Sequence, residues 1–555
     1  MLGRLTDLMA VKQGGVSRLQ FFQRTNNKKV TMNHSAPQFI AGLSGIVLLA
    51  GCAIMPEPIT QTEQQASLNA DKQVIFAKQE PISAPISVYE AMARALKYNL
   101  NHRVKMMEHA VADGQSDLAK YNLLPDLIAS AGYRGRDNFN ASSSRAIAPG
   151  GLQSQVPSTS QDRSRKVYDF TFSWNVLDFG VSYFQAKQDA NRVLVAEESR
   201  RKTAQLLMQD VRTAFWRMAG TQQLESDIEK ILGSARQALK DAQGIENERL
   251  ASPLSILQYQ KDLLEIIRKL EELSETLRLA KTELASLLGV SPSQKFQLKL
   301  PQNNSLQAPA FSLAIDNMEE MALQLRPELR EEIYNNRITA EEAHKAMVRL
   351  LPGIEFKTGY NHDSNSYLLN NNWLELSGLI SQNLMELISA PARFSQIDAQ
   401  EKLGDTRRLS VYMAVLTQVH LSYQQFLVAE QQYKRTQELD AINQKISTHI
   451  TNDAENDAKT ELERIRAATN ALMSRLQLLE AYASIQSSLG RVYVSLGLDP
   501  LPAFIENYDI NTLASSIEAV DKNWQAGKFP SVTKPEATKS SSVDASGAKL
   551  AKSSQ

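Results

Sequence analysis

Between Tyr168 and Trp174 the chain alternates strictly. Tyr168, Phe170, Phe172 and Trp174 fall on one face of a strand, and Asp169, Thr171 and Ser173 on the other. The same two-residue period in "IEFKTGYNHD" sets Ile354, Phe356, Thr358 and Tyr360 against Glu355, Lys357, Gly359 and Asn361. "IASAGYRGRD" and "WLELSGLISQNL" are their β-prone neighbours, and the strand beginning "VYDFTFSW" is read on through "VLDFG" (Val176 to Gly180). Elsewhere the pattern is helical. Val88 to Leu123 and Met318 to Leu350 each form a helix-like stretch stopped by a following proline. From about Ser182 to Gln243 and from about Phe394 to His449 there is almost no proline or glycine. The first of these runs would reach roughly 90 Å if unbroken, too long for a compact domain. Return helices follow. Leu263, Ile266, Leu270, Leu273, Leu277, Ala280, Leu284 and Leu287 make a heptad seam ending at Gly289, and Leu462, Ile465, Thr469, Leu472, Leu476, Leu479 and Ala483 make a second ending at Gly490.

These elements repeat. "LLP" at Leu123 to Pro125 and "GY" at Gly132 and Tyr133 recur 227 positions later at Leu350 to Pro352 and at Gly359 and Tyr360, with no gap. The chain is therefore two versions of one unit: a helix, two strands and a long antiparallel helical hairpin. Four strands cannot close a membrane barrel, since bacterial barrels start at about eight. If the alternating strands are barrel strands, with an aromatic outer face and a polar inner one, several chains must share the barrel. A small soluble hairpin with one half-buried face would read the same in isolation.

Composition narrows the function. Lysine plus arginine equals aspartate plus glutamate at 61 each, so no global charge argues for nucleic acid. One cysteine in 555 residues excludes an internal disulfide and a thiolate cluster. The seven histidines form no HExxH motif, there is no phosphate loop or nucleophile elbow, and His102 and His109, seven apart on one helix face, read as lone surface or interface histidines rather than a metal pair. An enzyme is not expected, nor any metal or cofactor.

The single cysteine sits in "SGIVLLAGCAIMPEP". Lys28 and Lys29 precede an apolar run from Phe39 to Met55, which reads as a signal peptide with a small-residue cleavage site; an N-terminal membrane anchor is the alternative. Leu49-Ala50-Gly51-Cys52 resembles the bacterial lipobox. That resemblance implies cleavage before Cys52, acyl groups on its sulfur and amine, and, with Ala53 following, delivery to the outer membrane.

Taken as an ordered set, the duplicated helix, "LLP", "GY", "VLDFG", the long hairpin and the terminal "SLLG" and "SLG" resemble the TolC-like outer membrane efflux and secretion proteins over about residues 85–502. The resemblance implies a mainly α fold with a small β part: a homotrimer whose twelve strands form one barrel in outer membrane lipid, continued by an α-helical barrel across the periplasm. It further implies passive export with a periplasmic adaptor and an inner-membrane pump of RND or ABC type, serving efflux or type I secretion. In the second unit "NLMELISAP" stands where "VLDFG" would be, which puts the turn after the last strand in doubt. In this family the hairpin tips meet the adaptor and close the periplasmic mouth. The tips fall near "ERLASPLS", with Arg249, Leu250 and Ser252 as adaptor contacts, and near "HITNDAENDA", with Asp453, Glu455 and Asp457 as a constriction of mutually repelling carboxylates, or as a plain solvated acidic tip. Trp174 and Trp373 are interfacial aromatics on this reading.

The organisation that results is a signal segment over 1–51, a lipidated linker over 52–84, a first repeat over 85–300, a second over 310–502, and a C-terminal segment over 503–555 ending in a low-complexity tail. Disorder is expected in that tail and in the serine-rich stretch from Asn140 to Arg165, a long extracellular loop in the barrel reading. The rival from another class is a lipid-anchored periplasmic coiled-coil scaffold whose strands form a soluble cap. The strands decide between them: a channel needs apolar outward positions on all four.

Overall fold

A computed structural model describes residues 57–530 except 77–78, 145–146, 148, 153–155, 248–251, 300–305, 455–460 and 502–506. These residues fall into two units. The smaller, ending at Val74, contributes helix α1 (Gln61–Ile75), which buries no residue and begins at a capping box: Thr60 Oγ1 accepts from the Glu63 amide while Glu63 accepts from the Thr60 amide.

The larger unit, from Ile75 onward, is a duplication. Its first repeat runs α2 (Val88–Tyr98), α3 (Leu100–Tyr121), β1 (Asp126–Gly135), a small ribbon β2 (Ala141–Ser142) and β3 (Ser158–Thr159), β4 (Ser164–Asn175), α4 (Val176–Asn247) and α5 (Pro253–Leu287). The second runs α6 (Ile315–Leu325), α7 (Pro327–Val348), β5 (Gly353–Asp363), β6 (Asn372–Ser381), α8 (Leu384–Ala454) and α9 (Glu461–Ser495), and α10 (Ile510–Gln525) closes the described chain. The long arms match at 72 and 71 residues and the return arms at 35 each. At about 1.5 Å per residue a long arm extends about 105 Å along its axis.

Several expected boundaries move, each for a local reason. The stretches read as single helices are broken in two. Asn99 and Arg326 stand extended (ψ 123° and 124°) between the halves; Asn99 caps α3 by accepting from the His102 amide, and Pro327 opens α7, forcing the residue before it out of the α region. "VLDFG" is the first turn of α4, not the end of a strand. Asn175 caps that turn by accepting from the Leu177 amide at 3.0 Å, with Asp178 in the first turn. Asn383, 208 positions on, does the same for α8 through the Met385 amide at 3.1 Å, with Glu386 in its first turn. "NLMELISAP" is thus the second repeat's version of the same junction, and α8 begins ten residues ahead of Phe394, running through Pro391. The second return helix does not stop at Gly490, which is helical and buried, but at Gly497. Gly497 and Gly289 both hold φ at +70° in a Schellman closure, the amides of Leu498 and Val290 donating to the Tyr493 and Ala285 carbonyls.

The heptad seams are the core. Leu263, Leu270, Leu284, Ile465, Leu472 and Leu479 are buried between the arms. Two clusters pack where the short helices meet the hairpins, one around Met92, Val211, Phe215 and Leu288, the other around Met318, Val419, Phe426 and Ile485.

Candidate functional site

β1, β4, β5 and β6 form one antiparallel sheet in that order, joining the two repeats through the β4–β5 pair. The register sorts their side chains onto two faces. Leu127 lies opposite Phe172, Ala129 opposite Phe170 and Ala131 opposite Tyr168; Phe170 in turn lies opposite Tyr360, and Tyr360 opposite Leu374; Trp174 pairs with Phe356, Thr358 with Leu376 and Ile354 with Ile380. All four strands therefore put apolar side chains on the same face.

That face is bare. Leu374, Leu376 and Ile380 are 76%, 79% and 72% exposed, and Leu127, Phe170, Phe356 and Tyr360 each expose about half their surface or more. Soluble monomers seldom leave a contiguous apolar patch beyond a few hundred Å² in water. The opposite face is polar and internally bonded. Ser173 donates to Glu355 at 3.1 Å, Lys357 pairs with Glu355 at 2.8 Å, Arg165 pairs with Asp363 at 2.8 Å, and Ser130 bonds to Asp169. Trp373 belongs to this polar face, opposite Asn361, rather than beside Trp174 among the apolar residues. Among the described residues both outer edges of the sheet, on β1 and β6, are unpaired.

The serine-rich loop is not featureless. Its described part holds the β2–β3 ribbon, and the Asp162 amide donates to Asn365 Oδ1 at 2.9 Å while Asn365 Nδ2 donates to the Ser160 carbonyl at 3.0 Å. Polar side chains from the short β5–β6 loop thus hold the long β1–β4 loop in place, which composition alone does not reveal.

At the far end of the hairpins, Ser252 is the exposed residue before Pro253 that opens α5; its carbonyl accepts from the Ile256 amide at 3.2 Å. Asp453 lies in the last turn of α8. Arg249, Leu250, Glu455 and Asp457 lie outside the described residues, as does Cys52. Near these tips the two hairpins touch through an Arg466–Asp262 ion pair joining α9 to α5. Histidines are placed singly: His102 is buried, its Nδ1–H donating to the Leu96 carbonyl at 2.9 Å, and His109 stands 3.8 Å from Glu197. Among the described residues no group of three or more His, Cys, Asp or Glu is placed to hold a metal, and no helix is long and apolar enough to cross a membrane.

No protein-family model and no curated protein matches the chain. Solved structures do. The CmeC outer membrane channel of Campylobacter jejuni superposes with a TM-score of 0.60 at 12% identity, over 80% of this chain and 94% of that one. The outer membrane protein VceC of Vibrio cholerae gives 0.56 at 14% over 74% and 96%, and the MtrE outer membrane channel of Neisseria gonorrhoeae, in its open state, 0.54 at 14% over 74% and 89%. At such identities the likeness establishes the fold.

Proposed function

We propose that this chain, whose fold is that of the TolC-like outer membrane channels, is itself the outer membrane exit duct of a tripartite efflux or type I secretion system. The observation that carries the reading is the bare apolar face shared by all four strands. A soluble cap on a scaffold would cover that face, whereas a barrel turns it to lipid and encloses the polar one.

The open edges supply the assembly. The strands alternate in direction, so β6 of one copy pairs antiparallel with β1 of the next, and three copies close twelve strands. α3 leads into β1 and α8 leaves β6, and each carries an exposed apolar row along its border: Val104, Met107, Val111 and Leu118 on one side, Leu421, Val428, Leu439, Ile442 and Ile446 on the other. Packing these rows between neighbours continues the barrel as a helical duct. The cargo passes without a chemical step, driven by an inner-membrane pump of RND or ABC type through a periplasmic adaptor that meets Arg249, Leu250 and Ser252. Acylation at Cys52 anchors each copy to the same membrane, and Asp453, Glu455 and Asp457 set the charge at the periplasmic mouth.

The test is single-channel recording in planar bilayers on detergent-extracted protein whose trimer is established by native mass spectrometry. Cation-selective openings that lose selectivity when Asp453, Glu455 and Asp457 are all changed to alanine are the expected result. Trimers that never conduct and stay in the aqueous phase would overturn the reading in favour of the scaffold.

A further inference from the structure

The apolar face of the sheet is short for a membrane band. Its levels follow from the register: Tyr168 lies opposite His362, Phe170 opposite Tyr360, Phe172 opposite Thr358, Trp174 opposite Phe356 and Ile354 opposite Ile380. Tyr168 stacks on His362 with ring centroids 5.6 Å apart, and aromatic rings with polar tips mark the level where hydrocarbon meets headgroup. From that level down to Ile354 is eight residues of β5, about 26 Å along the strand and about 20 Å across a bilayer at the usual barrel tilt. The apolar band of an outer membrane barrel is about 25 Å tall. About 5 Å of hydrocarbon, one helical turn, is left unmatched.

The helices that leave the sheet carry the missing turn. Six residues between Val176 and Ala190 are exposed, and five of them, Val176, Phe179, Tyr183, Lys187 and Ala190, follow at intervals of 3, 4, 4 and 3 along one side of α4. The sixth, Asp178, stands on the opposite side of the helix. Phe179 meets the Trp174 ring edge-on with centroids 6.1 Å apart, so this stripe continues the apolar face of the sheet. It then turns polar: the Lys187 ammonium lies 5.0 Å from the Tyr183 ring centroid and 3.5 Å from Glu341. The second repeat has the same arrangement. The 208-residue step from Asn175 to Asn383 takes Val176 and Phe179 onto Leu384 and Leu387, both exposed, and Asp178 onto Glu386. Leu124 and Leu351, the leucines before the proline of each "LLP", are exposed where α3 and α7 pass into β1 and β5.

What covers the α4 stripe follows from its place in the order of parts. α4 continues β4, an inner strand, and packs against both α3 and α7 of its own chain, whereas on the channel reading copies meet at the outer strands β1 and β6. A neighbouring copy therefore does not reach it, and lipid, which the adjoining sheet face already requires, does. A helix start in hydrocarbon must also quiet its free amides, and the Asn175 and Asn383 side chains each take one.

Resting on the channel reading, we propose that the first turns of α4 and α8 are immersed in the inner leaflet of the outer membrane, with Tyr183 at headgroup level and Lys187 in water. The hydrocarbon boundary then falls on helix, about one turn beyond the ends of the strands.

The experiment measures depth. Val176→Cys, Phe179→Cys, Lys187→Cys and Ala190→Cys, with Leu376→Cys as the sheet reference, are spin-labelled one at a time in the full-length trimer reconstituted into liposomes; unsubstituted protein treated in parallel gives the background from Cys52. Collisions with oxygen, which concentrates in hydrocarbon, are compared with collisions with a water-soluble nickel chelate. Oxygen should dominate at positions 376, 176 and 179, and the order should reverse at 187 and 190. Nickel dominating at 176 and 179 while oxygen dominates at 376 would place the boundary at the strand ends and overturn the proposal. Low collision with both reagents at 176 and 179 would show the stripe covered by protein and overturn it equally. Nickel dominating at 376 as well would defeat the channel reading itself, which separates the two failures.

Discussion

Gly497 ends the second return helix with φ at +70° and leaves no room for a side chain: a Cβ there would stand 2.6 Å from the Leu325 carbonyl carbon and 2.7 Å from the Arg326 nitrogen. Gly289 is wedged the same way against the Tyr98 carbonyl oxygen at 2.8 Å. Gly497→Ala should therefore lower stability by about 1–3 kcal/mol, since it adds strain to a clash with backbone. Gly490→Ala, at a helical position whose nearest neighbour is the Arg212 side chain at 3.4 Å, should change it by less than about 1 kcal/mol. Urea midpoints of the two variants check both. The sequence shows two glycines seven apart at this end and nothing in the local pattern says which stops the helix; the choice is made by the distant backbone of Leu325 and Arg326. His102 gives a pH dependence. Its burial depresses the imidazole pKa below its ordinary 6.5, the Leu96 carbonyl partly offsets this, and Arg200 adds to it. Folded protein thus prefers the neutral ring, so its contribution to stability is complete above about pH 6.5 and is lost as the pH falls toward the depressed value. Chemical denaturation between pH 7.5 and 5 should show that loss in wild type and a flatter profile in His102→Gln.

At the scale of the element, α10 shows what a charge can hold. Ile510, Leu513, Ile517 and Trp524 are buried, Asp509 caps the helix through the Thr512 amide at 3.0 Å, and Asp521 meets Arg212 of α4 at 2.6 Å with both side chains under 10% exposed. Tyr89 of α2 donates to the other Asp521 oxygen at 2.9 Å, and its hydroxyl pKa is driven well upward, first by burial and then by that carboxylate. Asp521→Ala strands a buried guanidinium and should cost about 3–5 kcal/mol, whereas Arg212→Met combined with Asp521→Leu should restore most of it; thermal melts of the three proteins decide. The apolar spacing and the aspartate cap of α10 are visible in "YDINTLASSIEAVDKNWQ", but its partner on α4 is 309 residues away, and no local pattern announces it. The Asn-x-x-acid signature at Asn175 and Asn383 was equally available, and it locates both strand-to-helix junctions more sharply than the loss of alternation does. Strands and seams, by contrast, were legible because their partners impose strict periods of two and seven.

For the whole molecule, the order of parts could be read from self-similarity; the closed assembly of the proposed channel could not, because on that reading its completing surfaces belong to other copies. The bare face of the sheet makes that dependence testable. On the proposed channel reading, Leu376→Arg places a charge in the middle of the face turned to lipid and should cost about 2–4 kcal/mol per copy, or three times that per three-copy barrel, enough to shift the protein from membrane to soluble fractions. Asp169→Asn on the polar face should leave insertion intact. Fractionation of cells expressing each variant distinguishes them. The equal arms carry a last consequence. Because 72 and 71 residues are followed by 35 and 35, the two hairpins act as paired legs of one ruler, and their tips can share a plane only while the legs agree. A heptad added to each arm of one hairpin alone would lower its tip by about 10 Å and break that plane, while the same addition to both would preserve it and lengthen the whole by the same step. Length in this molecule is thus a coupled quantity, free to change only in matched increments, and its reach is written twice into every chain.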